Sequence, residues 1–349
     1  MVEMSSYERV FAFLKGRKNE ADRIPCMNPA GTYTEDFMVA VDAFWPDSHF
    51  DPEKMARLGA AAHELCGLDN ISIPFDILVE AELLGAPIDF REGKTLWPSV
   101  KDLIAKDFSD IKLPKDIANS GRVPVIIKAI KMLKEKYGES VPVNVIFDPP
   151  FTMISSYLME TVDFMVAIKK KPEIIHEFID GVTPLYIELA KIYQEAGADI
   201  LTYHDGGASN DSISPKYYRD FVFESTKKWI NRVKSAVTIL NICGNSDGII
   251  DAMIETGATA IAIDERTSIV KTREIVDSVK PGVPILGNIP AQTLLFRGPV
   301  EKIEAAVKMV IEAGIDIVSP GCDFWIKTPA EHIKALVDST KKYGSIQTK

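Results

Sequence analysis

Residues 195–203, Glu-Ala-Gly-Ala-Asp-Ile-Leu-Thr-Tyr, join the end of an amphipathic pattern to a β-rich run through one glycine. A glycine just past a helix end, followed directly by a strand, is the expected helix-to-strand connection. The same joint recurs at Glu255-Thr-Gly-Ala-Thr259 and Glu312-Ala-Gly-Ile-Asp316. Around these joints, short β-branched runs alternate with helical stretches. The runs are Val141–Phe147, Asp199–Tyr203, Val237–Ile242, Ala258–Ile263, Val283–Leu286 and Ile315–Val318. The stretches between them are Pro172–Ala196, Pro215–Ser235, Asp247–Glu255, Ser268–Ser278, Val300–Ala313 and Pro329–Tyr343. Strands separated by helices pair in parallel through right-handed crossovers. The first half adds strands at Arg23–Met27 and Asn70–Ile73, with a helix over Pro52–Cys66 between them. Residues 82–124 are irregular and rich in Pro and Gly, and read as a hairpin and loop insertion within one domain spanning 1–349. Eight strands with alternating helices predict an α/β fold, a (β/α)8 TIM barrel with an elaborated N-terminal region. A doubly wound sheet is the rival, but no Gly-rich phosphate loop follows any run.

Composition narrows the function. A chain of 349 residues with 46% hydrophobic content can bury a large core, which excludes a disordered or disulfide-stapled protein. Fifty acidic against 40 basic residues leave a net charge of −10, which argues against nucleic-acid and anionic-membrane partners. No apolar run approaches the ~18–20 residues of a membrane span. The segment Met1–Glu20 is charged and lacks the apolar stretch of a signal peptide. Four cysteines are too few for a disulfide framework. A cytoplasmic protein is expected.

In such a barrel the chemistry sits at the C-terminal ends of the strands. Those positions hold Asp76, Asp148, His204 with Asp205, Asn241 with Cys243 and Asn245, Asp264 with Glu265, Asn288 and Cys322. Cys243 and Cys322 form the sharpest pair, because a barrel brings distant strand ends around one mouth. Two thiolates plus a carboxylate or imidazole make a tetrahedral zinc site with an open position, suited to deprotonating a substrate thiol. The plainer reading makes both small buried hydrophobes, as Cys26 and Cys66 are expected to be. His204 is a ligand, a general base or a hydrogen-bonded structural residue. His49, His63, His176 and His332 read as solvated, and so does the Lys169–Lys171 run. Asp76 lies in Pro74-Phe-Asp-Ile-Leu78, where an apolar setting raises a carboxyl pKa and is costly without a partner or a role. Asp264-Glu-Arg266 reads either as an ion-paired rim or as a carboxylate aimed into the mouth.

Three segments carry a resemblance: Ala43-Phe-Trp-Pro-Asp-Ser-His49 followed by Asp51-Pro-Glu-Lys-Met55, Leu240-Asn-Ile-Cys-Gly-Asn245, and Pro320-Gly-Cys322 leading into Thr328-Pro329. Over nearly its whole length the chain resembles the uroporphyrinogen decarboxylase superfamily. Within it, the resemblance is to the cobamide-dependent methyltransferases that pass a methyl group from a methylated corrinoid protein to coenzyme M. That branch holds zinc with His-x-Cys after strand five and a Cys after strand eight. Cys243 and Cys322 match the thiolates, but the His position is Asn241, and an amide is a poor zinc ligand. Asp264, in Ile261-Ala-Ile-Asp264, or His204 would complete the Zn2+ site; Asn241 would otherwise bond a substrate. The resemblance implies methylcobamide as donor, a corrinoid protein as partner and a small thiol such as coenzyme M as acceptor. Asp148 and Asn288 are expected to contact the cofactor. Arg297 and Lys327 are candidates for the acceptor's sulfonate.

The decarboxylase branch is similar at Phe75-Asp-Ile-Leu-Val79, at Leu286-Gly-Asn-Ile289 and at Met27-Asn-Pro-Ala-Gly-Thr-Tyr33. Both arginines of that last signature are replaced here, by Asn28 and Thr32, and its late histidine by Cys322. A polycarboxylate substrate needs such bidentate cations. Two alternatives stand beside methyl transfer. One is a metal-independent enzyme acting through Asp76 on a tetrapyrrole or small carboxylic acid. The other is a corrinoid- or partner-binding protein without turnover.

Overall fold

A computed structural model describes residues 4–233 and 236–346. Seven parallel strands form one sheet in chain order: β1 (Ile71–Ile73), β4 (Val143–Phe147), β5 (Ile200–His204), β6 (Val237–Ile242), β7 (Ala260–Ile263), β8 (Ile285–Ile289) and β9 (Ile317–Pro320). Between β1 and β4 the irregular region carries a separate antiparallel hairpin, β2 (Ile88–Asp89) and β3 (Ser99–Val100). The strand expected at Arg23–Met27 is not a regular one. It makes isolated bridges only, Cys26 with Val318 and Arg23 with Ser345. Pro25 offers no N–H to a ladder, so pairing is broken there. The segment nevertheless closes the barrel. Met27 N donates to Val318 O at 3.0 Å and Val318 N to Pro25 O at 3.0 Å, while Cys26 O accepts from Asp69 N at 2.7 Å on the β1 side. The Asp69 carboxylate pins this seam, accepting from Cys26 N, Arg23 and Arg9. The result is a (β/α)8-type barrel.

Helices follow the strands as the patterning predicts. The helix Pro172–Ala196 ends on Gly197 at φ 115°, and Val300–Glu312 is followed by Gly314 at φ 98°, conformations that side chains rarely adopt. The stretch begun at Pro215 is helical to Arg232, with one widened turn over Tyr218–Phe223; its end at residues 234–235 lies outside the described residues. β8 and β9 run two to three residues further than their sequence pattern, because Asn288 pairs with Ser319 and Ile289 with Pro320. No helix among the described residues is long and apolar enough to cross a membrane.

Alternation along the strands sorts the interior into layers. At one end Ile200, Ile239, Ala260, Leu286 and Ile317 pack against the helix Ser6–Leu14, which plugs the barrel through Val10 and Phe13. Its start is held by a capping box between Ser5 and Glu8. Midway, Asn28, Asn70, Ser72, Asn144 and Thr202 satisfy one another in a buried hydrogen-bonded network. Two residues further along each strand lies the opposite mouth.

Candidate functional site

The inward positions above Thr202 and Ile239 are His204 and Asn241, and these two are register partners on β5 and β6. The turn after β6 carries Cys243 and the turn after β9 carries Cys322. His204 Nε2 stands 3.1 Å from Cys243 Sγ. Cys243 and Cys322 are paired as a disulfide, with Cα atoms 5.7 Å apart. One ligating atom from each of His204, Cys243 and Cys322 lies within 4.8 Å of the others, the only such group of metal-binding side chains among the described residues. An imidazole thus enters from β5 the region where the family pattern would place one on β6. Asn241 is buried beside it, and its backbone O accepts from Asp205 N at 2.8 Å.

Behind His204 stands Asp148, with Oδ1 3.7 Å from His204 Nδ1. Both His204 Nδ1 and Asp148 Oδ2 are buried without a hydrogen-bond partner. Burial, with Glu80 and Asp205 nearby, pushes the Asp148 carboxyl well above its usual range. Burial also pushes Glu80 up to about 8, and Asp205 up to about 7 despite a hydrogen bond from Thr152. Three buried acids with no Arg or Lys in direct contact are costly in a neutral interior and compatible with a resident positive charge. Two sulfurs, one imidazole nitrogen and an acid behind the ring are the donor set and support expected of a zinc site with one open position. With Cys243 and Cys322 reduced from the disulfide to thiolates, these residues fit zinc.

Asp264 stands outside that cluster. It is 7% exposed, and its Oδ1 accepts from Arg266 N at 2.9 Å, turning the loop after β7. Asn288 spends its amide on the same loop, donating to Asp264 O at 3.3 Å and Thr267 O at 3.0 Å. Glu265 is pushed up to about 7 by burial and by Asp264. Of the acid-rich rim, Arg266 pairs with Asp211 at 3.0 Å.

Asp76 departs from expectation. Burial alone would raise its carboxyl, but Arg122 and His49 outweigh it and hold the group well below the usual carboxylate range. Arg122 grips it through both terminal nitrogens, at 2.5 and 2.9 Å, and His49 Nδ1 stands 3.0 Å away. Arg122 also holds Glu82 and lies over the Phe90 ring. The solvated reading fails for His49, 1% exposed, and for His332, 9% exposed with Nδ1 on Leu295 O. Packing decides both: His49 lies against Trp45, Phe75 and Phe90. His63 is half-buried on Leu68 O, while His176 and Lys169–Lys171 are exposed, and Cys26 and Cys66 are buried. Arg297 lies over Phe296 and Lys327 is exposed.

Sequence reasoning missed Glu80 and Arg122, and read His49 as solvated. Glu80 had a signal, as one of two acids in the otherwise apolar run Val79–Leu84, and Asp205 was itself among the strand-end candidates. Arg122 had none, since 46 residues separate it from Asp76.

The pattern of the uroporphyrinogen decarboxylase (URO-D) family matches residues 5–343. The chain belongs to the uroporphyrinogen decarboxylase family. A methylcobamide:CoM methyltransferase from Methanosarcina barkeri is 33% identical over 344 residues, 98% of this chain and 99% of the relative. Another, from Methanosarcina acetivorans, is 32% identical over 346 residues, again 98% and 99% of the two chains. Among solved structures, a methyltransferase from Methanosarcina mazei superposes with a TM-score of 0.90 at 33% identity, covering 98% of this chain and 99% of that one. In this uroporphyrinogen decarboxylase family member Asn28 does internal work, its amide on Gly31 O at 2.7 Å and its N–H on Asn70. Thr32 is fully buried.

Proposed function

We propose that this protein is a corrinoid-dependent methyltransferase that moves a methyl group from a methylated cobamide, borne on a separate corrinoid protein, to a small thiol. The observation that carries the reading is the convergence of His204, Cys243 and Cys322 at the barrel mouth, in a chain similar over its length to methylcobamide:CoM methyltransferases. A zinc ion held by these three side chains would supply Lewis acidity that lowers the pKa of an acceptor thiol. In the reaction the thiol gives up its proton to solvent and its sulfur lone pair forms the S–CH3 bond. The Co–C bond breaks with its electron pair staying on cobalt, which falls from Co(III) to Co(I). The chain's own residues orient these partners. Asp148 stands 3.7 Å behind the His204 ring, where its charge would favour an imidazole that donates toward it, and Asn288 ties down the loop that carries Asp264 and Glu265. Asp264 borders the site and is not needed as a ligand in this reading. The cysteines must be reduced to act, which a cytoplasmic location favours. Asp76 has no free carboxylate edge, so nothing in the geometry favours decarboxylation.

The test is metal content and turnover of wild type and Cys322→Ala, purified under reducing conditions without chelator. About one zinc per chain is expected in wild type and none in the variant. Methyl transfer from methylcobalamin to a thiol should disappear with it. Wild-type protein that takes up no zinc, even on reconstitution, would overturn the zinc-thiolate reading.

A further inference from the structure

Two cavities of opposite character meet at Cys322. One, of about 340 Å³, is lined by Ser209, Ser212, Glu265, Arg266 and Gln292 together with Cys243 and Cys322. The other, of about 420 Å³, is lined by Ile77, Leu78, Trp97, Pro98, Tyr157 and Phe324, and also borders Cys322. Trp325 borders both. Its ring is stacked on Phe296, with centroids 5.9 Å apart and planes 9° from parallel, so the dividing wall is braced. Arg266 is the one cation lining either cavity among the described residues. The acids Asp211, Asp264 and Glu265 face it in the polar cavity, and Asp323 is the one charged group of the apolar one. Asp211 holds one terminal nitrogen of Arg266, whose side chain is otherwise 64% exposed.

Resting on the methyl-transfer reading, we infer that the two substrates are divided between these cavities. The small thiol occupies the polar one, with the polar or anionic end remote from its sulfur against Arg266 and Gln292. The methylated corrin ring presents its face through the apolar one. The chemistry of the walls assigns them. A flat, largely hydrocarbon macrocycle gains from Trp97, Tyr157 and Phe324, whereas a short charged thiol gains nothing there. An anionic tail needs a guanidinium, and only the polar cavity has one to offer. Both cavities are lined by Cys322, so a thiol held in one and a methylated corrin facing the other come together at that residue. Arg266 is thus a specificity residue for the acceptor, and Asp211 competes with the acceptor for it.

The test is the pattern of KM values with methylcobalamin as donor and two thiols of equal reach, 2-mercaptoethanesulfonate and 2-mercaptoethanol. Arg266→Gln should raise KM for the sulfonate about tenfold. It should leave KM for 2-mercaptoethanol and for methylcobalamin unchanged. Asp211→Asn should lower KM for the sulfonate. Trp97→Leu should raise KM for methylcobalamin alone, and Ile77→Asn provides the same reading should the tryptophan prove needed for folding. If Arg266→Gln treats both thiols alike, or if Trp97→Leu and Ile77→Asn move the thiol KM as much as the donor KM, the division is overturned while methyl transfer stands. If wild type methylates neither thiol, the functional reading itself fails.

Discussion

Two polar clusters lie near the same barrel mouth and were built by opposite rules. Around Asp76 the acids share one cation: Arg122 bridges Asp76 and Glu82, and His49 Nδ1 stands 3.0 Å from Asp76 although its geometry makes no hydrogen bond. Around His204 no Arg or Lys pairs with the acids and hydrogen bonding is incomplete: His204 Nδ1 is 3.7 Å from Asp148 Oδ1 without bonding it, Asp148 Oδ2 and Asp205 Oδ2 have no hydrogen-bond partner, and Asp148, Asp205 and Glu80 are pushed toward their neutral forms. A buried carboxylate gripped by both terminal nitrogens of a guanidinium holds structure, whereas uncompensated acids close to two sulfurs suit a place that receives a positive charge. A sequence motif alone would have ranked the Asp76 segment beside the cysteines. Their surroundings separate them.

The largest effect should come from breaking the satisfied cluster. Arg122→Ala leaves Asp76 buried without its cation and should cost about 3–5 kcal/mol, read by urea denaturation. The sign of the pH dependence follows from the lowered Asp76 carboxyl. Its stabilisation is full above the ordinary carboxyl range and is lost as pH falls through and below it, so the wild-type advantage over Arg122→Ala should shrink in acid. Zinc uptake by the folded variant should not change. If it does, the two clusters are not independent.

The next effect belongs to the unsatisfied cluster. His204→Ala should weaken metal binding by about 100-fold, roughly 2.7 kcal/mol, in competition with a chelating dye. Asn241→Ala should change it little. The reverse ranking would return the ligand role to β6 and remove His204 from the site.

The smallest effect sharpens the comparison without breaking it. Glu80 has its carboxyl raised to about 8, so the folded state holds a proton that the unfolded state has released. Its contribution is therefore full below the ordinary carboxyl range and falls as pH rises toward 8. Glu80→Gln should flatten that decline and gain about 1 kcal/mol relative to wild type between pH 5 and pH 8, read as melting temperature against pH. A decline of equal slope in both proteins would mean that Glu80 is compensated after all.

The sequence by itself determined the barrel and the pair of cysteines. Gly-bearing joints such as Glu195–Asp199 and period-two apolar runs are local signals, and a parallel α/β topology follows from their order. Strand ends then point to one mouth, which is why Cys243 and Cys322 could be paired across 79 residues. The tertiary structure alone decided what surrounds them. The register of β5 against β6 sets His204 beside Asn241, and no spacing along the chain encodes that adjacency. Arg122 reaches Asp76 from the turn before the helix Val123–Tyr137, 46 residues away, which turned an acid expected to be costly into a paired one. Pro25 left the closing strand to be completed by Asp69 and Val318 rather than by a ladder. Local pattern fixes which elements form, because propensity and periodicity act over a few residues. Protonation, pairing and the third candidate ligand depend on packing between distant segments, where burial and charge are shared by residues the chain keeps far apart.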